Sequence, residues 1–162
     1  MRFVSLSLLL ITLVGFGAWS VRDHPSAPDA TFTTITGKKI VLKELDNKPV
    51  LITFWATSCP SCITEIPHLI DLYNRYHPEG LEIIAVAMFY DIPSHVVAMS
   101  QAQALPYDVA WDVQAKHARQ FGNVQLTPST FLISADHKIV WSTIGVFDVN
   151  DMNDRIETFL NL

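Results

Sequence analysis

Val50 to Ala56 reads Val-Leu-Ile-Thr-Phe-Trp-Ala, an apolar run broken only by Thr53. A run of that length suits a strand buried on both faces of a mainly parallel sheet. From Pro60 the period changes to a helical one. Ile63, Ile66, Leu69, Ile70, Tyr73 and Tyr76 share one face, Pro67 predicts a kink, and His77-Pro78-Glu79-Gly80 stops the helix. At the junction stands Cys59-Pro60-Ser61-Cys62, which holds both cysteines of the 162-residue chain.

The rest of the pattern fits around this unit. Thr31 to Ile35 and Ile40 to Leu42 read as two short strands joined at Thr36-Gly37-Lys38. Leu81 to Phe89 is a second buried strand, and Met88-Phe89-Tyr90 at its end reads as core. Pro93 to Leu105 is predicted helical, with Val96, Val97, Met99 and Ala102 inward. Val109 to Trp111 is a short strand. Asp112 is placed to cap a helix over Val113 to Phe121, closed by Gly122. Thr130 to Ser134 and Lys138 to Ile144 form a hairpin. Asp148 or Asn150 caps a last helix with Met152, Ile156, Phe159 and Leu160 as its apolar positions. Strands joined by crossover helices make a parallel core and the late hairpin adds antiparallel strands, giving a three-layer α/β domain over residues 30–162.

A bridge across two intervening residues restrains little chain, so the value of the cysteine pair is chemical rather than structural. Zinc needs four ligands, or three plus water, and neither a second cysteine pair nor suitably spaced histidines are present, so no metal is expected. At the start of a helix, unpaired N–H groups stabilise a thiolate on Cys59, and Cys62 faces the same side within reach of it. Pro60 suits the first turn. Such a pair exchanges with disulfides. Cys59 attacks, a mixed disulfide forms, and Cys62 resolves it. An electron donor must then restore the dithiol. No further cofactor is expected.

Arg2 is the only charge in the first twenty residues, and Phe3 to Trp19 is almost wholly apolar. Residues 1–20 are therefore expected to be a membrane segment. The absence of a clean A-x-A site favours an uncleaved signal anchor over a cleaved signal peptide. Arg2 keeps the N-terminus cytoplasmic, which sets the domain on the periplasmic or extracytoplasmic face of the membrane. Residues 21–29, with Pro25 and Pro28, read as a linker. Beyond Arg2 the chain carries ten basic and sixteen acidic residues with no basic run, which argues against nucleic acid as a partner.

Phe54-Trp55-Ala56-Thr57-Ser58-Cys59-Pro60-Ser61-Cys62 resembles the active-site segment of the thioredoxin superfamily. The chain is most similar to the TlpA-like branch of membrane-anchored disulfide reductases, which includes the thioredoxin-like proteins of cytochrome c maturation. Ala27-Pro28-Asp29 through Gly37 and Leu45, Thr127-Pro128-Ser129-Thr130-Phe131-Leu132-Ile133, and Lys138-Ile139-Val140 with Gly145 extend the likeness over about residues 27 to 161.

The resemblance implies a thioredoxin-like α/β/α fold with a mixed sheet and an N-terminal β-hairpin extension. It implies a Cys59–Cys62 disulfide, a cis Pro128 beside it, a Thr127 backbone that receives substrate, and Trp55 packed at the site. Glu65, in Cys-x-x-Glu-x-Pro form, would exchange the proton of Cys62; a solvated helix-face charge is the other reading of that residue. The implied partners are protein disulfides, apocytochrome c among them, and a transmembrane thiol electron donor.

The chain departs from the pattern at three places. Thr53 stands where thioredoxin has a buried aspartate, and Ser58 replaces the usual aromatic. Leu126 takes the place of a common glycine, in a loop one residue longer. Two other functions share parts of these features. A peroxiredoxin-like peroxidase would need a Thr-x-x-Cys setting and an arginine, but Thr57 is two residues before Cys59 and no arginine lies between residues 23 and 74. A copper metallochaperone for oxidase assembly would use both thiolates on Cu(I).

Overall fold

The computed structural model describes residues 24–160 and 162. The expected membrane segment over 1–20 and the start of the linker lie outside them. Among the described residues, no helix is long and apolar enough to cross a membrane.

Strands β1 (Thr31–Thr33) and β2 (Lys39–Val41) form a two-stranded antiparallel ribbon. The main sheet has five strands: β3 (Val50–Trp55), β4 (Glu82–Ala87), β5 (Asp108–Trp111), β6 (Ser129–Ile133) and β7 (Ile139–Ile144), in the order β5-β4-β3-β6-β7. β3, β4 and β5 are parallel, whereas β6 runs antiparallel to β3 and β7 antiparallel to β6. Among the described residues the α-helices are α1 (Pro60–Tyr76), α2 (Pro93–Ala102), α3 (Lys116–Gln120) and α4 (Val149–Leu160). The arrangement is a thioredoxin-like α/β fold with a mixed sheet and an N-terminal hairpin.

β3 is buried along its whole length, as its continuous apolar run requires. Its pleat feeds two cores. Leu51 and Trp55 pack with Leu69, Val96 and Ile156 from α1, α2 and α4. Val50, Ile52 and Phe54 pack on the other face with Phe32, Ile40 and Phe121. β1 and its ribbon are held beside β5 by the Thr34–Ala110 bridge and by an Ile35 N–H donated to the Val109 carbonyl. Part of the stretch read as linker is attached as well: Ser26 bridges Lys138, and Ala27 donates its N–H to the His137 carbonyl.

α1 runs through Pro67 to Tyr76, the span expected for it. Several other local expectations are corrected. In α2, Val97 and Ala102 are exposed, and Ser100 is buried in their place. The inward face is Val96 and Ser100, with Met99 partly buried against the same core, and the Ser100 hydroxyl donates to the Val96 carbonyl. Met88 is buried, but Phe89 and Tyr90 are 47% and 49% exposed, because the chain turns immediately after the strand. α3 begins three residues later than its pattern suggests, since Ala115 adopts a left-handed φ of 52°.

Asp112 nevertheless caps α3. Its buried carboxylate accepts the N–H groups of His117 and Ala118 at 3.0 and 2.8 Å. Asp112→Ala leaves both donors unpaired, so it is expected to cost about 2–3 kcal/mol. A lower midpoint of denaturant unfolding at unchanged slope would show this; an unchanged midpoint would refute it.

Candidate active site

The strand β3 delivers the chain to Thr57-Ser58, and α1 starts at Pro60, so Cys59 occupies the N-cap. A helix start has N–H groups without intrahelical partners. Here the Cys62 N–H points at Cys59 Sγ at 3.2 Å. The two cysteines are joined in a disulfide with Cα atoms 5.3 Å apart. Cys59 is half-buried, while Cys62 is 2% exposed. An incoming sulfur can therefore reach Cys59 but not Cys62. Ser61 Oγ lies 3.4 Å from Cys59 Sγ.

The Thr127–Pro128 peptide is cis. The Thr127 carbonyl oxygen stands 3.5 Å from Cys59 Sγ, so this loop faces the cysteine across the site. The Pro128 carbonyl accepts the Gly145 N–H at 2.8 Å, which links the loop to the segment leading into α4. Two residues on, the Phe147 N–H donates to Glu65 Oε1 at 3.1 Å.

Glu65 is 1% exposed. It lies on the inward face of α1, one turn after Cys62, and not on a solvated face. Burial pushes its carboxyl up to about 7 against the opposing pull of the Phe147 hydrogen bond. Glu65 and Cys62 line one small cavity with Thr53, Trp55, Ile66 and Tyr107, of about 10 Å³, roughly the space of one water. Thr53 accepts the Thr130 hydroxyl at 3.0 Å and carries no titratable group. Glu65 is thus the acid–base group on the cavity wall nearest neutrality. Burial also raises the Tyr107 phenol, keeping it protonated. Trp55 is buried against this cavity, and its indole N–H has no hydrogen-bond partner.

One residue that sequence reasoning passed over belongs to the site. Asp91 Oδ2 accepts the Thr57 N–H and Oδ1 accepts the Thr57 hydroxyl, both at 2.6 Å; Oδ1 also accepts the Ile92 N–H at 2.9 Å. The turn before Cys59 is therefore clamped to the loop after β4. The acid two residues before Pro93, at the start of α2, was the only sequence signal, and it does not reveal a partner 34 residues away. Among the described residues, no cluster of three or more histidine, cysteine or acidic side chains is placed to hold a metal ion.

Comparison with known proteins agrees with this geometry. Residues 24–142 match the AhpC/TSA family model. The thiol-disulfide oxidoreductase ResA of Bacillus thuringiensis (strain Al Hakam) is 37% identical over 122 residues, covering 74% of this chain and 68% of that protein. ResA of Bacillus subtilis (strain 168) is 29% identical, covering 91% and 86%. Among solved structures, a thioredoxin from Neisseria meningitidis superimposes with a TM-score of 0.79 at 29% identity, covering 86% of this chain and 92% of that one. Fold, cysteine pair and relatives converge: the chain belongs to the AhpC/TSA family and is a thioredoxin-fold thiol-disulfide oxidoreductase.

Proposed function

We propose that the protein is a membrane-anchored, extracytoplasmic reductase of protein disulfides. The observation that carries this reading is the asymmetry of the pair: Cys59 is accessible at a helix N-cap, and Cys62 is enclosed beside a carboxyl poised near neutrality.

The Cys59 thiolate attacks one sulfur of a substrate disulfide, and the other sulfur leaves as a thiolate. A mixed disulfide now joins Cys59 to the substrate. Glu65, as carboxylate, takes the Cys62 proton while Cys62 attacks Cys59 Sγ. The bond between Cys59 and the substrate sulfur breaks, and that sulfur leaves with its electron pair. Two electrons have passed to the substrate, and the Cys59–Cys62 disulfide remains. During the exchange the Thr127 backbone holds the substrate chain as a short added strand, and Trp55 shapes the wall beside Cys62. A transmembrane thiol donor restores the dithiol by the same steps in reverse, with Glu65 returning the proton. Apocytochrome c is the substrate that the TlpA-like resemblance implies.

The Thr57 hydroxyl favours this reading over a peroxidase. It is committed to Asp91, away from a peroxide that would have to sit over Cys59. The two-thiolate copper reading has no comparable support in the surroundings of the pair.

Equilibration with defined thiol buffers tests the direction of flow. A potential near about −270 mV, as in thioredoxin, supports a reductant; one near about −120 mV, as in a strong oxidase, overturns it. Labelling of reduced cells with a membrane-impermeant maleimide tests the location: modified Cys59 is expected, and protected Cys59 would refute it.

A further inference from the structure

The loop after β4 exposes more apolar surface than its fold requires. The Asp91 N–H donates to the Met88 carbonyl at 2.9 Å, which closes a β-turn over Met88 to Asp91. Its two corner positions are Phe89 and Tyr90. Turn corners favour glycine, proline, asparagine, aspartate and serine, because those residues suit the backbone or solvent. Here they hold two aromatic rings 5.3 Å apart in a T-shaped pair. Ile92, just beyond, is 52% exposed. A single exposed apolar side chain is ordinary, but three within four residues form a patch.

The patch is fixed to the redox site. Met88 is 1% exposed and its N–H donates to the Trp55 carbonyl. Asp91 is 8% exposed and clamps Thr57, two residues before Cys59. The inward residues of the loop thus anchor it to the active-site turn, and the outward ones face solvent. Ser58, immediately before Cys59, leaves the Cys59 surface without a ring of its own. On the opposite side, Leu126 and Ile144 are 62% and 69% exposed along an open groove of about 650 Å³. Segments 56–61, 88–92, 122–128 and 144–148 contain no lysine or arginine, and Asp91 and Asp148 are engaged with backbone N–H groups. Nothing in these segments steers a charged partner.

Resting on the reductase reading, we infer that Phe89 and Tyr90 form the recognition surface for an uncharged, apolar segment flanking the reactive cysteine of a protein substrate. Asp91 is the positioning residue that sets this surface beside Cys59. Substrate choice then follows the side chains next to the disulfide, independently of ionic strength.

The test uses the full-length reduced protein and two synthetic peptide disulfides. One has leucine and phenylalanine next to its cysteine and the other has serine at both positions. Rates are read at low and high salt. The wild type is expected to reduce the apolar peptide about tenfold faster at both salt concentrations, a ratio of the size given by one buried aromatic contact. The double variant Phe89→Ser, Tyr90→Ser is expected to bring the ratio close to one, and Tyr90→Phe alone to retain it. Equal wild-type rates with the two peptides would overturn the inference and leave the reductase reading intact, as would a ratio that survives in the double variant. Self-association abolished by the double variant, with no change in the ratio, would assign the patch to a second copy of the chain and also overturn it. Failure of the wild type to reduce either peptide would remove both readings.

Discussion

Cys59→Ser is expected to lower disulfide-exchange activity by at least about a thousandfold, because it removes the only sulfur that a substrate can reach. Cys62→Ser should fail differently. Its Cys59 still attacks, but the resolving sulfur is gone, so the protein accumulates covalently joined to its substrate. The prediction rests on exposure and on the helix start. Cys62 is 2% exposed, and its backbone N–H, 3.2 Å from Cys59 Sγ, favours negative charge on the outer sulfur. Nonreducing electrophoresis and intact mass of each variant, mixed with a disulfide-bonded protein, check it. A conjugate is expected with Cys62→Ser and none with Cys59→Ser. The opposite pattern would reverse the two roles, and conjugates in neither variant would refute the mixed-disulfide route.

The redox centre was legible in the sequence because its parts are local. A buried strand, a cysteine at the helix start and a second cysteine one turn on need only short-range order. The surroundings of the centre were less legible because they are built from distant segments. Spacing alone puts Glu65 on the same helical face as Cys62, Ile66 and Leu69, yet a carboxylate there reads equally well as solvated. The Phe147 N–H that pairs with its buried carboxyl comes from 82 residues downstream. Phe89 and Tyr90 misled for a related reason. Aromatic residues ending a buried strand usually continue into the core, and only the turn closed by Asp91 directs them outward. Asp112 was correctly read as a cap, but the left-handed Ala115 shifted the helix it serves. Position along the chain revealed which residues are apolar. Long-range hydrogen bonds determined where those residues point.

Glu65→Gln is expected to change both stability and the pH dependence of exchange. The folded-state carboxyl titrates at about 7, above its ordinary value of 4.5. Between those values the native protein holds a proton that the unfolded chain has released. Stability therefore falls as pH rises from about 4.5 to about 7, and the full cost is present above that window. A difference of this size corresponds to about 3 kcal/mol. Glutamine keeps an oxygen for the Phe147 N–H and never ionises. The variant should match the wild type near pH 4 and exceed it by about that amount at pH 8. The kinetic effect has the opposite sign. Resolution of the mixed disulfide needs Glu65 as a carboxylate to accept the Cys62 proton, so the wild-type rate should rise through about pH 7. The variant should resolve about a hundredfold more slowly at pH 8 and lose that inflection. Denaturant unfolding across pH, paired with quenched-flow measurement of mixed-disulfide decay, separates the two effects. A purely structural Glu65 would give the stability difference with an unchanged rate profile, which would refute its proton-transfer role. A stability difference that does not vary with pH would refute the buried carboxylate as its source. Gain in stability together with loss of rate is the signature of an acid kept in the core for its chemistry.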